Sequence, residues 1–379
     1  MQLSEEHLLI QEAARRFAAD RLAPNAEEWD REGHFPKDAV GEMGELGLMG
    51  ILVPEEWGGA GADFISYALA LSEIAGGDGG TSTTMAVQTV TETCLLAYGN
   101  EAQKKRFLPK MASGETLGAF MLTEPHTGSD AGSIRCKAEK DGNQYILNGT
   151  KQFITTGANA DVAVTFAVTD PDKGARGISA FIVPTDNPGY QVASIERKLG
   201  QKTSDTAQIV LDNVKLPPDL LLGEEGEGYK IALSNLEGGR IGIAAQSVGF
   251  ANAAFRAAKA YANERETFGR KIADHQAIAF KLAEMATQIE AGRQLMLNAA
   301  RLKVAGEPCL KEASMAKLFA SEMAERVCSD AIQIHGGYGY LTDFPVERLY
   351  RDARVCQIYE GTSEVQKLVI ARAIQEEQE

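Results

Sequence analysis

Strand signals are confined to one stretch of this chain, and long helical patterns lie on both sides of it. Between about Ala119 and Gly226 the segments Gln144–Asn148, Val162–Val168, Ile178–Val183 and Ala207–Leu211 are short, β-branched or alternating. Gly, Asn, Asp and Pro separate them, as in Asp170-Pro171-Asp172 and Asn187-Pro188-Gly189. No long helical pattern runs between them, so the island reads as an antiparallel sheet or barrel and not as a parallel α/β sheet.

The flanks read as helix. Leu8, Leu9, Ala13, Phe17 and Ala18 fall at helical spacing, and further helices are expected over Glu42–Leu52, Ile65–Ala75 and Thr83–Ala97. Beyond the island, Ile241, Ala244, Val248, Ala251, Phe255, Ala258 and Ala262 step by three or four, and Ala277–Ala300 and Ala313–Ile334 repeat the pattern. Long amphipathic helices of this kind form bundles. The expected organisation is a multidomain α+β chain: a helical domain over 1–118, a β-domain over 119–226 and a helical bundle over 227–379.

Composition limits the function. A net charge of −15 argues against nucleic acid, because phosphate binding needs clustered Lys and Arg. No apolar run is long enough for a membrane span. The start, Met1-Gln2-Leu3-Ser4-Glu5-Glu6, resembles neither a secretory nor a transit signal, so a cytoplasmic chain is expected, or a mitochondrial matrix one in a eukaryote. The five cysteines and five histidines are scattered without metal-ligand spacing, and no metal is expected.

No GxGxxG after a strand, no GxxxxGK and no GxSxG occurs, so a nucleotide would be held in another way. Leu122-Thr123-Glu124-Pro125 with Gly128-Ser129-Asp130 opens the island. It reads as a plain loop or as one whose amides and hydroxyls converge on an oxygen-rich ligand. Glu264-Arg265-Glu266-Thr267-Phe268-Gly269-Arg270-Lys271 is a basic cluster in an acidic chain. It suits a pyrophosphate grip or ordinary charge at a helix C-terminus. His335-Gly336-Gly337-Tyr338-Gly339-Tyr340 follows a helix and reads either as a cap or as a close approach to a ligand. Tyr359-Glu360-Gly361-Thr362-Ser363 reads as a helix start or as a carboxylate base beside backbone donors.

These segments, with Asn148-Gly149-Thr150-Lys151, Gly200-Gln201-Lys202-Thr203-Ser204-Asp205-Thr206, His275-Gln276-Ala277 and Gln333-Ile334-His335-Gly336-Gly337, occur in one order along the chain. Together they make it resemble the acyl-CoA dehydrogenase family over essentially its full length. The resemblance implies a helical, a β- and a four-helix-bundle domain, a homotetramer built as a dimer of dimers, FAD as cofactor, an acyl-CoA substrate and an electron-transfer flavoprotein as acceptor.

It also implies site residues. Glu360 would take the α-proton. Phe120, Leu122, Thr123 and Ser129, with Phe153, Ile154 and Thr155, would contact the flavin, and Thr362 and Glu364 would lie near its phosphate or adenosine part. Arg265, Phe268, Gln276, Gln333, Gly336 and Gly337 would hold the FAD of a partner subunit. Ser129, Glu237, Arg240 and Gly361 would line the substrate path. Such families place the base at either of two positions; the second falls here on Gly239, which leaves Glu360. Phe153 stands where many members carry tryptophan, and no arginine near Thr81 marks a dicarboxylic substrate. Gln88, Thr91 and Glu92 are polar for an acyl-pocket wall. A flavin oxidase or monooxygenase on the same scaffold, or a non-catalytic flavoprotein, are the competing functions; the presence of Glu360 argues against both.

Overall fold

The computed structural model describes residues 3–377. The N-terminal part is helical: α1 (Glu5–Phe17), α2 (Ala26–Glu32), α3 (Lys37–Glu45), α4 (Phe64–Gly77), α5 (Gly79–Tyr98) and α6 (Glu101–Ala112). Side-chain caps set several starts. Ser4 accepts from the His7 amide, Asp63 from that of Ser66, and Asp78 from that of Thr81. The expected helix over Glu42–Leu52 lies instead at Lys37–Glu45. Gly47 turns left-handed at φ +74°, and the Gly44 backbone packs so tightly on Ser113 that a Cβ there would meet its carbonyl oxygen at 2.0 Å.

The middle part holds β1 (Gly118–Met121), β2 (Lys137–Asp141), β3 (Gln144–Thr155), β4 (Val162–Val168), β5 (Ile178–Pro184), β6 (Tyr190–Ile195), β7 (Thr206–Leu216) and β8 (Leu221–Leu222). Their order is β6-β7-β3-β2-β4-β5-β8, with β1 also on β4. The sheet is mostly antiparallel. The exceptions are β1 and β2, which both run parallel to β4. They follow one another along the same edge of β4, and the chain leaves that edge only for the Leu122–Cys136 loop. That excursion preserves direction, which is why parallel pairs interrupt an otherwise antiparallel sheet.

The C-terminal part is α7 (Gly228–Glu264), a two-residue-strand hairpin β9 (Glu266–Thr267) and β10 (Arg270–Lys271), then α8 (Gln276–Val304), α9 (Leu310–His335), α10 (Pro345–Ala353) and α11 (Ser363–Glu376). Helix α7 packs on α9, α8, α4, α5 and α10, and α11 packs on α9. Two apolar cores result. One is shared by the N- and C-terminal helices, from Ala14 and Leu71 to Phe250 and Val327. The other lies within the sheet and takes in Leu95, Met111 and Ile231 from the surrounding helices. Among the described residues no helix is long and apolar enough to cross a membrane.

Candidate active site

Glu360 sits where the two helical parts meet. Its Oε2 is sealed from solvent and has no hydrogen-bond partner. Burial is the main cause that raises its pKa above the ordinary carboxylate range; Lys317 and Arg240 act against it. The residue is left-handed, at φ +53°, and so is Gly361 at +88°. Gln366 holds both carbonyls of this turn, donating from Nε2 to Glu360 O at 3.1 Å and to Gly361 O at 2.9 Å. The Glu360 amide donates to no group among the described residues. A Cβ built on Gly239 would lie 2.6 Å from Glu360 Oε2. The two positions that the family resemblance offers for a base therefore converge on one point, and glycine at 239 leaves that point to Glu360.

The neighbours of the turn are tied into a buried polar junction of all three parts. The Tyr359 hydroxyl donates to Gln246 Oε1 at 2.8 Å, and Gln246 Nε2 donates to the hydroxyls of Ser82 and Thr83. Thr83 donates to Gln201 Oε1 at 2.5 Å, and the Gln201 amide donates to Asp352. Thr203 donates to Asp78 Oδ2 at 2.6 Å. Burial pushes the Asp352 carboxyl up to about 7. Gly80 has no room for a side chain, since its Cβ would fall 2.0 Å from Thr203 Oγ1. This explains the Gly200–Thr206 segment physically: Gln201 and Thr203 join the β-domain to α5, α10 and Tyr359.

Arg240 is buried and donates to Ser314 Oγ at 3.2 Å, while its Nε has no partner. Glu237 is engaged elsewhere: it accepts from Lys303 Nζ at 2.5 Å. The polar residues of α5 divide by role. Gln88 ties α5 to α6 and β1, donating to Met111 O and Thr116 O and accepting from the Gly118 amide. Thr91 donates back to Val87 O within its own helix. Glu92 is fully buried with both oxygens unpartnered, and burial holds its pKa well above the ordinary range. Burial raises the pKa of the Tyr67 phenol, and the charges of Glu360 and Glu92 add to the rise.

A second group of residues surrounds the Leu122–Cys136 loop. Glu124 accepts from the amides of Arg135 at 2.7 Å and Cys136 at 2.9 Å and from Lys151 Nζ at 2.8 Å; Lys151 also donates to Leu122 O. Both side chains are buried, so this pair straps the loop to β3. Glu124 and Lys151 were part of the motif match, but only their contact reveals the role. Ser129 is exposed on the loop, and the amides of Gly128, Ser129 and Asp130 donate to no described group. Phe120 and Thr123 are half-buried and Leu122 is buried. Between Lys151 and Ile154 the β3–β7 register slips by one residue; at this bulge Phe153 turns left-handed, φ +57°, and stands 63% exposed. Thr155 is half-buried beside it, whereas the Ile154 side chain faces the sheet core, so only its backbone is available there. Thr362 caps α11, accepting from the Val365 amide, and Glu364 is exposed in its first turn.

The remaining residues cluster at the far end of α7. Arg265, Gly336 and Gly337 line one cavity of about 420 Å³ with Tyr261, His335 and Tyr338. Phe268 tops the β9–β10 hairpin at 98% exposure, and Gln276 and Gln333 are exposed nearby in the fold. In the glycine run Gly336 is a left-handed helix end, and Gly339 packs on the chain's own backbone, where a Cβ would strike Ile332 O at 2.5 Å. Along α7, Arg240 and Arg265 are about 37 Å apart at 1.5 Å per residue. The five cysteines are buried and free.

Three domain models match this chain end to end: the acyl-CoA dehydrogenase N-terminal domain over 4–115, the middle domain over 119–214 and the C-terminal domain over 226–375. This chain belongs to the acyl-CoA dehydrogenase family. A Bacillus subtilis acyl-CoA dehydrogenase is 51% identical over 373 residues, 98% of each chain. Butyryl-CoA dehydrogenase from Megasphaera elsdenii superposes with a TM-score of 0.97 at 42% identity, covering 99% of both chains. A chain solved in work on the electron transferring flavoprotein of Acidaminococcus fermentans gives 0.97 at 46%, again over 99% of both. As a member of the family the protein is an oxidoreductase of acyl-CoA thioesters that uses FAD.

Proposed function

We propose that the protein dehydrogenates short- to medium-chain acyl-CoA thioesters, straight or branched, between Cα and Cβ, with Glu360 as the base. The observation that carries this reading is the Glu360 carboxylate: its Oε2 is sealed and unpartnered, and the residue's own amide is free. Bound FAD supplies the hydride acceptor for the β-carbon. The chain's residues do the rest. Glu360 removes the α-proton, and its raised pKa narrows the gap to that weakly acidic C–H. Its amide hydrogen-bonds the thioester oxygen and so stabilises the enolate as it forms. Arg240, with an orphaned buried N–H, and Gly361 border the substrate; Glu237, neutralised by Lys303, lies at the edge of the path.

The residues present fit FAD. The strapped loop with its free amides, Ser129, Thr123 and the bulge-borne Phe153 would hold the flavin end, and the α11 N-terminus at Thr362 suits a phosphate, with Glu364 nearer the adenosine part. Arg265, Phe268, Gln276, Gln333, Gly336 and Gly337 would complete the site of a partner copy, since α7 sets them too far from Glu360 to serve the same cofactor within one chain. We therefore infer a homotetramer. Its acceptor is inferred to be an electron-transfer flavoprotein, a reading supported by the Acidaminococcus neighbour, and its place the bacterial cytoplasm, or the mitochondrial matrix for a eukaryotic chain. The short-chain end of this range is supported by the butyryl-CoA neighbour.

Anaerobic titration of the purified protein with acyl-CoAs from short to long and branched, following the oxidised flavin band, tests this. Bleaching by short substrates is expected. Bound flavin that no acyl-CoA bleaches would favour the oxidase or scaffold readings, and protein that binds no flavin would end the proposal.

A further inference from the structure

Lys317 lies in the first third of α9 with its side chain wholly buried. It makes no ion pair among the described residues, and its single hydrogen bond donates to the carbonyl of Gly361 at 2.6 Å. An ammonium buried without a paired carboxylate is unfavourable, and a methionine would fill the same space without that penalty. Burial accordingly pushes the Lys317 pKa down to about 8. Packing does not account for a cation here.

The carbonyl it grips belongs to the residue after the base. Glu360 and Gly361 are successive left-handed residues, and the first carries a side chain, so the turn persists only where its surroundings hold it. Gln366 and Lys317 are the side chains that do so. This turn sends the Glu360 carboxylate to Gly239 and leaves its amide free. We propose that Lys317 is a positioning residue of the dehydrogenation: its ammonium pins the Glu360–Gly361 turn, and its charge favours the ionised Glu360 carboxylate, one oxygen of which is sealed from solvent.

The proposal rests on Glu360 being the base, as argued above. The groups that face the pair come from every surrounding element. Arg240 of α7 acts on both Glu360 and Lys317; Cys356 and Glu364 act on Lys317; Tyr67 of α4 and Cys94 of α5 feel Glu360, and Glu92 reaches the same Tyr67. Arg240 does not replace Lys317, because it is anchored to Ser314 and lies near Glu237. The sign follows. A nearby cation favours the ionised carboxylate, so removing it raises the Glu360 pKa, and the base becomes competent only at higher pH.

The test compares FAD-bound wild type with Lys317→Met, which loses charge and donor, and Lys317→Gln, which keeps a donor. Two quantities are read: the pH dependence of anaerobic flavin reduction by butyryl-CoA, and the pH at which the Glu360 carboxylic-acid infrared band appears, assigned by its loss in Glu360→Gln. In both variants the acidic limb and the band are expected to move up by about one pH unit or more. Lys317→Gln should recover most of the wild-type rate at high pH, and Lys317→Met should not. A slower reaction with band and limb unmoved would make Lys317 a packing residue and overturn the proposal. So would failure of both variants to fold with FAD; if only Lys317→Met fails, the glutamine variant decides. Wild type that no acyl-CoA reduces would sink the functional reading alone, since the infrared band still reports the coupling of Lys317 to Glu360.

Discussion

A glutamate in water ionises near pH 4.3; burial raises Glu360 above that range, and the cations Lys317 and Arg240 act against the rise. A raised pKa has two consequences of opposite sense. Flavin reduction needs the ionised form, so its rate should fall as pH drops through the raised value, which a pH profile of the reductive half-reaction measures. Folding, by contrast, is disfavoured by that ionised form: the penalty is absent below the unfolded pKa and grows as pH rises toward the folded one. Glu360→Gln should therefore raise the melting temperature at pH 8 and lose that gain toward pH 4. An unchanged or lowered melting temperature at pH 8 would contradict the burial argument. Gly239 gives a second prediction. Its missing Cβ is the space in which the Glu360 oxygen sits, so Gly239→Ala should cut the reduction rate about 100-fold while FAD content and melting change little, because only the flexible end of one side chain has to move. Glu360 was legible in the sequence as a candidate base from its motif. The geometry that makes glycine at 239 necessary was not, because 121 residues separate the two positions.

At the scale of elements, the Leu122–Cys136 loop depends on two buried charges, Lys151 and Glu124. Lys151→Met would leave the Glu124 carboxylate buried without its cation, at a cost of about 3–5 kcal/mol. The expected result is a clearly lower melting temperature with faster release of FAD; unchanged flavin retention would show that the loop does not hold the cofactor. The sequence pattern revealed the long helices and the strands β3, β4, β5 and β7, because β3 and β7 alternate buried and more exposed positions while β4 and β5 are apolar runs buried on both faces. It did not reveal β1, β2 or β6. Strand β1 has only four residues, and β2 and β6 are mostly exposed, so neither alternation nor an apolar run marks them. The parallel pairing on β4 was hidden for a related reason: it follows from where the loop returns the chain, and no residue pattern encodes that. The polar face of α5 was likewise ambiguous until its partners were seen. Gln88 bridges three backbone groups and Thr91 bonds within the helix, which leaves Glu92 as the unexplained carboxyl.

For the whole molecule, two parts of α7 do separate work. Glu360 packs against the first third of the helix, at Gly239, and the cavity of Arg265, Gly336 and Gly337 lies at its C-terminal end. If that cavity serves a neighbouring copy, cofactor and assembly stabilise each other. Arg265→Ala and Phe268→Ala should then lose FAD on dilution and shift sedimentation toward smaller species, with the Glu360 end intact; a fully loaded variant of unchanged size would contradict a shared site. The helical parts at either end of the sequence share one apolar core, a union that reading the chain segment by segment did not expose. The central claim is that Glu360 takes the α-proton of a bound acyl-CoA, and rapid anaerobic mixing of butyryl-CoA with wild type and Glu360→Gln tests it most directly. The account predicts flavin bleaching in the wild type and, in a variant that still binds FAD and the thioester, bleaching slower by about 100-fold or more. Bleaching at the wild-type rate in Glu360→Gln would contradict it.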